Sequence, residues 1–364
     1  MQTMNATNPS DTPDMNALLA VIRALVGEIH PHWKNLHFLP DTQLERELGL
    51  DSMARVELQA RIEQSLHITL PENAAVRAAT ANDLMHAITH PANDGNADDI
   101  PAGSAADLLM GEFGNPAEPA NGTRRTLSEW LFAVYAWPVF TVLALLAWVL
   151  VVVTPTEGGR RKMAHWCARL LFMLTFTPLK VQGHEHLDMH HPQIIVANHA
   201  SYLDGFIVTA ALDVPIHFIV KGELARIAPV RILLERFGVE FVDRFNARKG
   251  TSDVGRIADK ARNGQSIVFF PEGTFTTFDG LQPFRMGAFV TAARAGIPVV
   301  PVAINGARRI IRGSEWFPRR GSLQITILPP IQPAGTGWQV AVDLRDAARR
   351  ELAPWTGEPN LVED

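Results

Sequence analysis

Apolar positions along this chain keep one spacing for a stretch and then change it, and each change marks a different kind of element. Leu18, Leu19, Ile22, Leu25, Val26 and Ile29 recur at helical spacing, as do Met53, Val56, Leu58, Ile62 and Leu66. These stretches predict a small all-helical domain over residues 15–90. From Pro91 to Thr126 the periodicity disappears into Pro, Ala, Gly, Asn and Asp, which predicts a flexible tether with a reach on the order of 30–35 Å. Beyond residue 179 the period becomes that of alternating elements. Short β-favouring runs near 194–198, 216–220, 238–242, 266–270, 298–303 and 323–328 are separated by helical stretches such as Thr251 to Arg262 and Met286 to Ala295. Strands and helices in alternation predict an α/β domain with a largely parallel sheet, closed by an Arg-rich amphipathic helix over Gly337 to Leu352.

Between tether and α/β domain the chain is apolar without alternation. Trp130 to Thr156 carries no charged residue, and a shorter apolar stretch, Trp166 to Pro178, contains Arg169. The first is long enough to cross a bilayer, for which about 20 apolar residues suffice. The second, at about 13 residues, is short for that task. A two-helix crossing would put Arg160, Arg161 and Lys162 on the outer face, against the positive-inside tendency. The expectation is therefore a membrane-associated helical hairpin over 127–178 that dips into the cytosolic leaflet, with Arg124, Arg125 and the Arg160 cluster at head-group level. A true transmembrane helix is the competing reading, and a buried soluble core helix fits so long an uncharged run poorly.

The candidate chemistry sits where strand patterns end. Ile194-Ile-Val-Ala-Asn-His-Ala-Ser-Tyr-Leu-Asp204 sends a buried-strand pattern into His199, with Asp204 about one turn further on. An Asp at that spacing reaches back to the imidazole and fixes its tautomer, so that the other ring nitrogen accepts a proton from a hydroxyl. Taken alone, H-x4-D also fits a His paired with Asp for stability. Ser266-Ile-Val-Phe-Phe-Pro-Glu-Gly-Thr274 runs a second strand into a turn bearing Glu272, Gly273 and Thr274. Lys221 follows a third strand, and Arg244 stands at the exit of a fourth. Loops at strand ends are where α/β folds gather sites.

In order and content, these stretches resemble the glycerophospholipid acyltransferases, specifically the 1-acylglycerol-3-phosphate acyltransferases. The likeness rests on Asn198 to Asp204, Lys221 to Leu224, Gly238 to Arg244, Phe270 to Thr274 and Val299 to Ala303, across roughly residues 180–330. It implies His199 as general base, Asp204 as its orienting partner, and Glu272, Gly273 and Thr274 with Arg244 and Lys221 as the hold on the acceptor's glycerol phosphate. Arginine's planar fork independently suits a phosphate.

In the front domain, Leu48-Gly-Leu-Asp-Ser-Met-Ala-Arg-Val-Glu-Leu58 places Asp51 and Ser52 where a helix N-cap is expected. Ser52 read singly is a cap. The whole block, however, is similar to an acyl carrier protein, which implies a four-helix fold and 4′-phosphopantetheine attached to Ser52. A helix N-terminus favours the phosphodiester of such an arm. Met53 stands where that family has Leu. Arg55 and Arg61 dilute the acidic second helix that carrier partners read, which puts exchange with generic partners in question.

Charge adds one element. Residues 1–126 hold 17 acidic and 8 basic side chains, whereas 127–364 hold 21 and 25, so the rear half suits an anionic lipid surface. The single cysteine, Cys167, excludes an intrachain disulfide and reads as a small buried or lipid-facing residue. The first twenty residues lack a basic region followed by an apolar core, so no secretory signal is expected.

The expectation is a multidomain O-acyltransferase, with carrier (15–90), linker (91–126), hairpin (127–178) and catalytic domain (179–352). It would sit at the cytoplasmic membrane, with carrier and catalytic domains on the cytosolic side. A tethered carrier reaches about millimolar effective concentration, which makes donation in cis plausible. The expected partners are a phosphopantetheinyl transferase, an acyl-loading enzyme, an acyl thioester donor, a lysophospholipid-like acceptor and membrane lipids; neither a metal nor nucleic acid is expected. Two other readings stay open. One is a dedicated pathway acylating a lyso-aminolipid, glycolipid or secondary metabolite. The other is a membrane docking platform for the loaded carrier.

Overall fold

The computed structural model describes residues 14–30, 33, 38–45, 47–71, 74–89, 125–242, 247–273, 280–312 and 317–359. They form two compact units. The expected tether lies almost wholly outside the described residues.

The N-terminal unit contains α1 (Met15–Ile29), α2 (Ser52–Leu66), α3 (Ala74–Arg77) and α4 (Ala81–Thr89). Leu18, Ile22, Leu25, Leu58, Ile62 and Leu84 are fully buried, so the helical spacing read from the sequence does face a core. One expectation is corrected. Arg55 was read as a positive charge diluting the face of α2, but its guanidinium is buried on the Leu58 and Ile62 side of that helix. There Nε donates to the Leu50 carbonyl at 3.2 Å and Nη1 to the Ala78 carbonyl at 3.3 Å. Arg61 donates a bidentate pair to Glu28, both bonds at 2.8 Å, and a third bond to Glu57. Both cations are therefore spent inside the unit.

In the C-terminal unit α5 (Leu127–Val153) opens with a capping box formed by Thr126 and Glu129. It turns at Thr154–Thr156 into α6 (Glu157–Leu174). This second helix starts well before the expected Trp166. Thr156 caps it and Glu157 occupies its first turn, so Arg160, Arg161 and Lys162 are helical residues rather than a hairpin loop. At 18 residues it is about 27 Å long. Arg161 turns inward and donates to His217 Nε2 at 2.7 Å, while Nδ1–H of that ring donates to the Gly238 carbonyl at 2.7 Å. Burial, with a guanidinium alongside, keeps the His217 pKa below its usual value, consistent with this neutral tautomer.

The sheet has seven strands in the order β1-β7-β6-β2-β5-β3-β4: β1 (Leu179–Gln182), β2 (Ile194–Ala197), β3 (Ile216–Lys221), β4 (Glu240–Val242), β5 (Ser266–Phe269), β6 (Val299–Asn305) and β7 (Leu323–Ile327). The expectation of a largely parallel sheet becomes a mixed one. β7 lies antiparallel to β6, and β1, absent from the sequence reading, pairs parallel to β7. An antiparallel neighbour needs no crossover helix, and among the described residues the β6–β7 connection holds only the four-residue α11 (Ala307–Ile310). The remaining five strands are parallel and joined through α7 (Asp204–Ala211), α8 (Ala228–Phe237), α9 (Ala247–Arg262) and α10 (Gly287–Ala295). β2 is buried at every position, as a strand covered on both faces must be. The chain closes with α12 (Trp338–Thr356) against the sheet.

Candidate active site

β2 and β5 are neighbours, with Val196 opposite Phe269. Their C-terminal ends therefore release His199 and Glu272 side by side. Asn198 is buried and bridges to β6: its Nδ2 donates to the Ile304 carbonyl at 3.0 Å, and Ile304 N–H donates to Oδ1 at 2.7 Å. Ser201 donates its hydroxyl to the Ile311 carbonyl at 2.9 Å. These two polar residues fix both ends of the turn that carries His199, and neither was singled out from the sequence. A small polar residue directly beside a buried strand was the available signal.

Asp204 is the first residue of α7 and is fully buried. Its Oδ2 accepts from His199 Nδ1 at 2.8 Å, from Ala200 N–H at 2.7 Å and from Ser201 N–H at 2.8 Å. A carboxylate only accepts, so Nδ1 carries the proton and Nε2 is left as the basic nitrogen. The imidazole stacks on Phe270, with ring centroids 4.5 Å apart. Its side chain is 20% exposed, so an acceptor hydroxyl has a route to the ring.

Glu272 is buried and points into the turn. Oε1 accepts His199 N–H at 2.6 Å, and Oε2 accepts Gln282 N–H at 2.8 Å. Burial pushes its carboxyl up to about 7, against the pull of those two donors; Asp204 nearby adds to the rise and Arg349 opposes it. Gln282 is itself held from α12. Arg349 donates to the Leu281 carbonyl at 2.9 Å and to the Gln282 carbonyl, and its guanidinium lies over Phe284. Arg349 was also missed, because its role exists only once the closing helix folds back across the sheet.

Gly273 has φ +80°, the left-handed region that favours glycine. Lys221 ends β3, but its side chain is outside the described residues, as are Arg244 and Thr274 altogether. The structure therefore brings together His199, Asp204, Glu272 and Gly273.

An acyltransferase family profile matches residues 178–305, and a phosphopantetheine attachment site profile matches residues 20–88. The chloroplastic 1-acyl-sn-glycerol-3-phosphate acyltransferase of Brassica napus is 33% identical over 177 residues, covering 47% of this chain and 51% of that enzyme. The human beta enzyme of the same name is 26% identical over 208 residues, 56% of this chain and 74% of its own length. The chain thus spans about half the length of the plant relative and three quarters of the human one. The crystal structure of the 1-acyl-sn-glycerophosphate acyltransferase PlsC from Thermotoga maritima superposes with a TM-score of 0.53 at 22% identity, over 62% of this chain and 94% of that one, and shares the fold.

A phosphopantetheine-attachment domain precedes an acyltransferase domain homologous to the 1-acyl-sn-glycerol-3-phosphate acyltransferases.

In the carrier domain, Asp51 and not Ser52 caps α2, accepting Ala54 N–H at 2.8 Å. Ser52 is the first helical residue and half-buried. The geometry fits an attachment serine, since the cap does not depend on its hydroxyl and the helix N-terminus lies beside it. When bound there, the arm would supply a thiol on which an acyl group is carried.

Proposed function

We propose that this protein transfers a fatty acyl group from a phosphopantetheine thioester to the free hydroxyl of a lysophosphatidate-like acceptor, giving phosphatidic acid or a related lipid. The donor is its own carrier, an external acyl carrier or acyl-CoA. The observation that carries the reading is the His199–Asp204 contact at 2.8 Å, with His199 N–H held by Glu272 from the adjacent strand end. His199 Nε2 takes the hydroxyl proton as the oxygen attacks the acyl carbonyl. The C–O bond forms, the C–S bond breaks, and the imidazolium returns the proton to the departing thiolate. Asp204 stabilises the imidazolium without itself being protonated. Holding hydroxyl and carbonyl together supplies the orientation. Lys221, Arg244, Gly273 and Thr274 are the proposed hold on the acceptor.

The protein works on the cytosolic face of the membrane with its hairpin lying in one leaflet. Leu127, Leu131, Val134, Val142, Leu145, Val149 and Val153 make an exposed apolar stripe along α5. Other positions along the helix contact the catalytic domain. Trp130 packs edge-on to Phe317, Phe140 on Phe206, and Trp148 Nε1 donates to the Pro229 carbonyl at 3.0 Å. A helix held to one domain at both ends and in the middle favours lying along the surface over crossing it. The boundaries carrier 15–90, linker 91–126, hairpin 127–178 and catalytic domain 179–352 complete the proposal.

A fused carrier also favours a dedicated acceptor over bulk lipid synthesis. One experiment addresses both. Ser52 is loaded with a palmitoyl-pantetheine arm, and intact-protein mass is followed in micelles containing lysophosphatidic acid. Loss of the acyl mass with appearance of phosphatidic acid, blocked by His199→Ala, is the expected result. A loaded protein that keeps its acyl group refutes the donor or the acceptor.

A further inference from the structure

The lysophosphatidate-like acceptor of the proposed reaction carries a phosphate monoester, whereas the carboxylate on the catalytic turn is engaged by two backbone N–H groups. The turn is nonetheless covered by a cation. A Cβ built on Gly273 would lie 2.7 Å from Arg285 Nε, 3.0 Å from its Cδ and 3.4 Å from its Cζ, so the Arg285 side chain rests on the Gly273 backbone. Its position is set by the main chain. Arg285 N–H donates to the Pro271 carbonyl at 2.8 Å, and Gln282 N–H to Glu272, which tie the 282–285 segment back onto the Pro271–Gly273 turn. The residue is exposed although so constrained.

A second feature points the same way. Two residues later α10 begins, and a Cβ built on Gly287 in its first turn would meet nothing within 4 Å. The N-terminal turn of a nine-residue helix is thus approachable beside a guanidinium. The arrangement suits an anion with several acceptor oxygens better than a neutral hydroxyl. Glu272, which joins this turn to His199 N–H at 2.6 Å, puts the cation within the same few residues as the base.

We infer that Arg285 is a substrate-positioning residue that binds the phosphate monoester of the acceptor and thereby selects lysophosphatidate over a neutral monoacylglycerol. This rests on the proposed acyl transfer to a glycerol phosphate and names its head-group contact. Gly273 then has two reasons to be glycine: its positive φ and the guanidinium lying on its Cα face.

The test uses the full chain, with the acceptor varied between 1-acyl-glycerol-3-phosphate and 1-monoacylglycerol in the same micelles and palmitoyl-CoA as donor, alongside the Ser52-loaded form. Arg285→Gln should lower kcat/KM on the phosphate acceptor by about 10–100-fold, chiefly through KM, since a charge-assisted contact is lost. Turnover of monoacylglycerol should change less than about threefold, and Arg285→Lys should recover part of the preference as a point charge does. A merely structural Arg285 would depress both acceptors together, and that outcome overturns the inference. So does a wild-type preference that survives Arg285→Gln, which would leave the acyl-transfer proposal standing. A wild-type chain that turns over neither acceptor from either donor overturns the proposed function and this inference together.

Discussion

Replacing Glu272 by Gln separates two roles that a buried carboxyl at this turn can have. The carboxylate accepts His199 N–H at 2.6 Å and Gln282 N–H at 2.8 Å. Gln keeps one acceptor and turns the other into an amide donor facing an N–H. Losing one such buried bond costs about 1–3 kcal/mol, roughly 5–150-fold in the fraction of molecules holding the His199 turn. Because the donor belongs to His199, the loss should fall on kcat, with KM for the acceptor little changed. Global stability should move the other way. Burial raises the Glu272 carboxyl from its usual 4.5 to about 7, with Asp204 beside it and Arg349 opposing. At acid pH below both values the group is protonated in both states and contributes nothing. As pH rises from the ordinary range through about 7, the unfolded chain ionises first and stability falls, by about 3 kcal/mol once both states are charged. A neutral Gln escapes that fall. The variant should match wild type near pH 4–5 and exceed it at pH 8 while being slower. Urea unfolding at pH 5, 6, 7 and 8, with acyl transfer measured at pH 8, checks both halves. A stability difference that does not change with pH, or an unchanged kcat with a raised acceptor KM, would refute the reasoning.

His199→Ala should reduce acyl transfer by about 10²–10⁴-fold with thermal unfolding nearly unchanged, as a base that is not part of the core would. Asp204→Asn should lose a similar factor, because a neutral amide no longer stabilises the imidazolium that forms on the His199 ring it contacts. Asp204→Ala should in addition destabilise by about 2–5 kcal/mol through two orphaned N–H groups, which calorimetry would detect. Arg55→Met should cost the carrier domain about 2–4 kcal/mol by leaving the Leu50 and Ala78 carbonyls without that donor, seen as an earlier first unfolding transition. Leu131→Gln with Leu145→Gln should weaken vesicle co-sedimentation at least tenfold and leave Ser52 loading intact, since each exposed leucine offers about 1.5–3 kcal/mol of apolar burial.

What the sequence disclosed and what it hid divide by range. His199 and Glu272 were legible because each follows a run of buried β-favouring residues, and a strand that ends on a polar residue announces a loop. That the two touch follows from the neighbouring of β2 and β5, and no local pattern encodes the pairing of residues 73 apart. Arg349 was read only as part of an amphipathic closing helix, since its partners are carbonyls 67 and 68 residues earlier. Arg55 was misread for a related reason: charge suggests surface, and the carbonyls of Leu50 and Ala78 together with the Glu45 carboxylate make a buried guanidinium tolerable. β1 escaped because Leu-Lys-Val-Gln is four residues long and only half buried, too short to show a period.

These hidden contacts share a direction, and it bears on how the turn holds His199. Arg349 grips the carbonyls of Leu281 and Gln282, Gln282 N–H grips Glu272, and Glu272 grips His199 N–H. From the other side Asn198 grips β6, and Asp204 grips the His199 ring together with the two N–H groups that follow it. His199 is thus fixed by its backbone and its ring through separate carboxylates, one buried at a helix N-terminus and the other raised in pKa by burial. Only the second is reached from the closing helix. Loosening α12 should therefore reach His199 through Glu272 before it reaches the Asp204 contact, so that Arg349→Met lowers acyl transfer while leaving the His199–Asp204 pair assembled. Chemical shifts of the His199 ring protons, unchanged in Arg349→Met while kcat falls, would bear that order out; a shift that follows activity would reverse it.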